Sequence, residues 1–163
     1  MSQSEYFSLW PLLIYGIATA DLAQHWKSYL RNPHPSFILT GLILLELVFW
    51  NFYLFFGEIE TLSESYGMFL VQMFRPLLFL FIVTLYTPDE GADPKSYFEG
   101  NLRLIYALLA FYVGLSVFLV PGFIYMKLLA VLVIIAIAWS KYQPLIYLLA
   151  LLRFGLVAWL IIK

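Results

Sequence analysis

Apolar residues run along this chain in six blocks, at residues 9–26, 37–56, 66–86, 102–120, 123–139 and 145–162, separated by short polar punctuation. A helix needs roughly 20 mostly apolar residues to cross a bilayer, and each block comes near that length. The stretch 102–139 is the one ambiguous count. As a single helix it would extend about 57 Å at ~1.5 Å per residue, nearly twice the hydrocarbon thickness. Pro121-Gly122 at its middle makes a tight turn natural, so it reads as two helices. Pro144 suits the first turn of the last helix, where no amide hydrogen bond is lost.

The fold class this predicts is all-α: a polytopic transmembrane bundle of about six helices, residues 1–163 forming one integral membrane domain with no soluble domain. Met1 to Phe7 carries Glu5 and no Lys or Arg, so the basic start of a signal peptide is missing and the first block reads as a retained helix. Orientation follows from Lys and Arg in short loops. Lys27, Arg31, Lys95, Arg103 and Lys141 all fall on one side of a six-helix chain, against Lys127 and Lys163 on the other. That side is expected to be cytoplasmic, with both termini external, in the cytoplasmic membrane if the source is prokaryotic. Glu58, Glu60 and Glu64 are then external, and Trp10, Trp26, Trp139 and Trp159 lie near span ends as an aromatic belt does. An inverted repeat of three helices plus three is a common transporter plan. Here only Arg75 and Arg153 correspond between the halves.

Composition narrows the chemistry. Hydrophobic residues make up 63% of the chain and charged ones 12%, the latter about half the share of globular proteins. The net charge of −1 excludes a basic face for nucleic acid. With no cysteine there are no disulfides and no thiolate nucleophiles or ligands. His25 and His34 are the only histidines and belong to no ligand cluster, so no metal, haem or other cofactor is expected. GxSxG, HExxH and P-loop motifs are absent.

The residues that stand out are ionisable ones inside the apolar blocks. Glu46, Arg75 and Arg153 each fall about halfway through a block, and Asp21 lies in the cytoplasmic third of the first. A charge at bilayer depth is costly and calls for a partner, so Glu46 is expected to pair with Arg75 or Arg153. Two arginines against one glutamate favour a site for an anion or polar head group. The competing reading is a buried ion pair that only fixes helix packing. Pro76 cannot donate to the Gln72 carbonyl, so a kinked or opened helix beside Arg75, with Gln72 one turn away, is a candidate polar pocket.

Asp21 and His25, spaced i,i+4, share a helix face and are a candidate proton relay; an interfacial His25 beside Trp26 and Lys27 is the plainer reading. Gly16 and Ala20 form a small-residue pair suited to close helix approach. Trp50 and Tyr53, one and two turns beyond Glu46, are candidates to line a cavity above it. The loop 88–100, with Asp89, Glu90, Asp93 and Glu99, reads as a solvated turn.

The opening helix, with Gly16, Asp21 and Trp26, resembles the start of small prokaryotic membrane proteins, a resemblance that implies no activity. The function expected is a transporter or channel-like protein for a small ion or polar solute, with Glu46, Arg75, Arg153, Asp21 and Gln72 as binding residues. Its partners are the lipid bilayer and either further copies of itself or other subunits of a membrane complex. The alternative is a non-catalytic subunit or assembly factor. A lipid-modifying enzyme ranks third, since acid–base residues exist but no nucleophile or metal set does.

Overall fold

The computed structural model describes residues 3–31, 34–58, 66–89, 91–119 and 123–162, with side chains for all of these except 3–8, 26–31, 55–58, 66, 68–69, 71–72 and 119. The chain is all-helical: α1 (Gln3–Arg31), α2 (Pro35–Glu58), α3 (Tyr66–Tyr86), α4 (Pro94–Leu119), α5 (Ile124–Ser140) and α6 (Pro144–Ile162), with no strand among the described residues. Three segments, Pro35–Leu54, Pro94–Phe118 and Pro144–Ile162, are long and apolar enough to cross a membrane.

Local chemistry sets the helix starts. Pro35, Pro94 and Pro144 each take the first helical position, where the missing amide costs nothing and the fixed φ is already helical. Before Pro94, Asp93 Oδ2 accepts the Ser96 amide at 3.0 Å and the Ser96 hydroxyl at 2.6 Å, a side-chain cap on an orphan donor. This cap starts α4 at Pro94 rather than at residue 102, where the apolar pattern begins. The 88–100 segment is therefore a turn only as far as Asp93, which corrects the solvated loop expected there. α1 likewise outruns its apolar block at both ends. α4 and α5 are separate helices; Pro121 and Gly122, the turn expected between them, lie outside the described residues. Phe123 (φ 52°) and Lys141 (φ 55°) flank α5 in the left-handed region. At Lys141 the amide bonds back to the Ile137 carbonyl at 2.9 Å, closing the helix.

The helices close into a ring. α1 packs on α2 and α3, α3 on α4, α4 on α5, α5 on α6, and α6 on α2. Each helix buries one stripe at helical spacing: Ile14, Tyr15, Ala18 and Leu22 in α1, for example, and Ile146, Leu149 and Ala150 in α6. Gly16 and Ala20 are exposed, and nothing lies within 4 Å of a Cβ built on Gly16. The close approach expected from that pair is thus not made; Ala18 takes the buried position instead. The tight contact is elsewhere, where Gly41 of α2 leaves room for the Tyr86 ring of α3. A Cβ on Gly41 would stand 2.5 Å from Tyr86 Oη.

Two ends of the ring differ. At one, Ser36 Oγ donates to Gln143 Oε1 (3.2 Å), Gln143 Nε2 donates to Glu99 Oε1 (3.3 Å), and His34 Nε2 is 3.7 Å from the same oxygen. These contacts tie the starts of α2, α4 and α6. Above them Phe37, Tyr86 and Phe98 stack at centroid distances of 4.7–6.1 Å. Tyr86 donates to the Phe37 carbonyl at 2.7 Å, and Tyr106 meets Thr40 at 2.7 Å, so the buried hydroxyls are satisfied. This aromatic plug fills the Gln143 end. Towards the Phe123 end the interior opens into a largely apolar cavity that holds a few charged and polar side chains.

Candidate functional site

Glu46 of α2 and Arg153 of α6 face each other between neighbouring helices of the ring. Arg153 donates Nε to Glu46 Oε2 and Nη2 to Glu46 Oε1, the latter at 3.0 Å. This is the two-toothed geometry in which a guanidinium fits a carboxylate best. The Trp50 ring lies 5.2 Å from the Arg153 guanidinium carbon, adding a cation–π contact on a desolvated face. Of the two arginines expected as partners for Glu46, Arg153 is the one it meets.

Arg75 of α3 is held differently. It is 8% exposed, yet no carboxylate lies within salt-bridge distance among the described residues. Its Nη2 donates to Asn51 Oδ1 at 3.1 Å, and its guanidinium carbon sits 5.9 Å from the Tyr112 ring centre. Its Nε is buried and has no hydrogen-bond partner among the described residues. Asn51 is fixed for this task because its Nδ2 donates to the Leu47 carbonyl one turn back, leaving the oxygen for Arg75. Tyr112 is fixed in turn by Tyr15 of α1, hydroxyl to hydroxyl at 3.2 Å. Among the described residues this buried cation meets the neutral Asn51 amide and the Tyr112 side chain and no carboxylate, which leaves it electrostatically incomplete.

Between these groups lies a cavity of about 90 Å³ lined by α2, α3, α4, α5 and α6. Among the described residues Arg75, Lys127 and Arg153 contribute to its wall and no carboxylate does, Glu46 reaching it only through its pair with Arg153. Lys127 donates its Nζ to the Ser116 carbonyl at 3.2 Å. The remaining wall is largely Leu, Ile and aromatic side chains, so charge in the cavity is poorly screened. The arrangement can hold a negative group.

The other expected residues fall away from it. Asp21 accepts from Thr87 Oγ1 at 3.2 Å at the end of α3, and His25 Nδ1 lies 3.3 Å from Asp21 Oδ1 and 2.9 Å from its backbone oxygen. They share a face as the spacing implies, but neither lines the cavity. The Gln72 side chain lies outside the described ones, and α3 stays helical through Pro76. Trp50 lines the cavity as expected, whereas Tyr53 is 73% exposed; the pitch beyond Glu46 turns it outward. No group of three metal-ligating side chains exists among the described residues.

Sequence reasoning missed Asn51, Tyr112 and Lys127. Asn51 was the most readable, an amide inside an apolar block. Lys127 looked like an interfacial charge, and Tyr112 carries no signal beyond being aromatic. Compared with protein-family models, curated proteins and solved structures, the chain matches none.

Proposed function

We infer that this is a polytopic integral membrane protein that takes an anionic solute into the cavity inside its helix ring, in the manner of a small transporter or channel. The observation that carries the reading is Arg75: buried, lining the cavity, and lacking a carboxylate partner among the described residues. Membrane embedding is supported by the outward faces, where Leu132, Leu151, Phe81, Phe111 and Ile161 are exposed on different helices. Apolar surface on that scale is unusual on a soluble monomer. Lys95, Arg103 and Lys141 sit exposed towards the Gln143 end, favouring a cytoplasmic placement of that end and external termini.

A second reading has its own observation. The Glu46–Arg153 pair is closed on itself, as a helix lock in a non-catalytic subunit would be. Proteoliposome flux separates the two. With anions and cations supplied as a panel, the wild type is expected to pass anions. A variant with Glu46→Leu, Arg75→Met and Arg153→Met is expected to fold and lose that flux, because apolar side chains replace packing but not charge. Full flux in a well-folded triple variant would leave the charges structural and overturn the Arg75 site; no anion flux in the wild type would favour the subunit.

A further inference from the structure

We propose that the cavity binds an amphiphilic anion: one carboxylate or phosphate head on a hydrocarbon tail, with the head at Arg75 and Lys127. The tail runs along the apolar wall towards Phe123. This rests on the anion-site reading above and adds the class of ligand.

The two arginines supply the first reason. Arg153 spends Nε and Nη2 on the two oxygens of Glu46. On Arg75 the same edge gives Nη2 to the neutral oxygen of Asn51, and its Nε finds no partner among the described residues. What Arg153 receives from the chain, Arg75 lacks among the described residues: a planar acid group with two oxygens and a negative charge. Both carboxylate and phosphate have that chemistry.

The wall supplies the second. Among the described lining residues Asn51, Arg75, Ser116, Lys127 and Arg153 are the polar members; the others are aliphatic, aromatic or Met. A small hydrated anion entering such a wall would give up water with few replacement hydrogen bonds. A ligand with a hydrocarbon tail matches both kinds of surface at once. The volume of about 90 Å³ suits a head group and its first carbons. Beyond Lys127 the lining continues through Met126 to Phe123, both exposed, so the rest of the tail has an apolar route out of the ring.

The experiment holds the purified protein in a neutral detergent and reads its melting temperature. Dodecanoate or dodecyl phosphate is added, and dodecanol or dodecyltrimethylammonium at equal mole fraction serves as the head-group control. Acetate and inorganic phosphate, with no tail, form the third arm. The expected result is a rise of several degrees with the anionic amphiphiles alone. It should be equal in Arg103→Gln, whose cation stacks on Trp139 outside the cavity, and at least halved in Arg75→Gln. An equal rise in Arg75→Gln, or with the neutral and cationic amphiphiles, would overturn the proposal. Acetate or phosphate matching the amphiphiles would overturn it too, yet leave the anion site standing. No response to any anion would remove both. Should Arg75→Gln fail to fold, a diazirine-tailed fatty acid is photolysed on the wild type. Labelling at Met126 and Leu129 that dodecanoate but not dodecanol displaces supports the site; labelling spread evenly over the exposed faces at Leu132 and Ile161 refutes it.

Discussion

Glu46 and Arg153, 107 positions apart in the chain, are joined through both teeth of one guanidinium. The pair ties α2 to α6, ring neighbours that no loop joins directly. Both side chains are more than four-fifths buried, at 15% and 19% exposure. Removing one partner from such a pair leaves a stranded charge and typically costs ~3–5 kcal/mol, whereas replacing both by apolar groups is often neutral. Glu46→Gln is therefore expected to lower stability to denaturation in mixed micelles by a few kcal/mol. Glu46→Leu combined with Arg153→Met should recover most of it, the methionine keeping a sulfur contact with Trp50. A double variant as unstable as the single one would contradict this.

Gly41 fixes the distance between α2 and α3. A methyl group there would stand 2.5 Å from Tyr86 Oη and 3.3 Å from its ring carbon, and Tyr86 is fully buried against Phe37 and Phe98. The ring has nowhere to go. Gly41→Ala is expected to destabilise by about 1–3 kcal/mol, as overpacking does. Tyr86→Phe added to it removes the nearest atom and should restore part of the loss, measured as a rise in melting temperature over Gly41→Ala alone. No loss in Gly41→Ala would mean that the helices are not this close.

Asp93 gives the start of α4 a pH dependence of known sign. Its two hydrogen bonds from Ser96 favour the charged carboxylate and hold its pKa below the ordinary value. A group depressed in the folded state contributes stability that is present above its unfolded pKa and lost as pH falls through the folded one. Acidification below the usual carboxylate range is thus expected to fray the first turn, seen as faster amide exchange at Ser96 and Tyr97, whose amides bond to Asp93. Asp93→Asn keeps a capping oxygen without a charge, so its exchange should lose this acid step. The same acid step in Asp93→Asn would assign it to another group.

Six helices were legible because hydropathy and length set a bilayer-sized helix with no need of partners. The start of α4 was not, because a two-residue cap at Asp93 and Ser96 decides it and hydropathy is blind to caps. Within the site the ionisable residues could be picked out, but not their pairing. Five positions separate Glu46 from Asn51, and at 3.6 residues per turn that is a rotation of about 140°. One residue therefore faces α6 and the other α3, and which arginine each meets depends on the ring order of the helices. That order, α1–α3–α4–α5–α6–α2, comes from tertiary packing. It also explains why Asp21, readable as a membrane charge, ends beside Thr87 and away from the cavity.

The ring gives the topology expectation a sharper basis. Lys95, Arg103 and Lys141 are exposed towards the Gln143 end. Lys127, counted with Lys163 at the other end, turns inward to the cavity and the Ser116 carbonyl. A lysine inside the ring is not a loop charge, so the asymmetry that orients membrane helices favours the Gln143 end as cytoplasmic. Since the chain has no cysteine, single cysteines at Ala92, Lys141 and Tyr125, all exposed, report without background. In intact cells an impermeant maleimide is expected to label Tyr125→Cys, and to reach Ala92→Cys and Lys141→Cys only after permeabilisation. The opposite pattern would invert the protein in the membrane. Equal labelling of all three in intact cells would show that α5 does not cross, and the six-span reading would have to be given up.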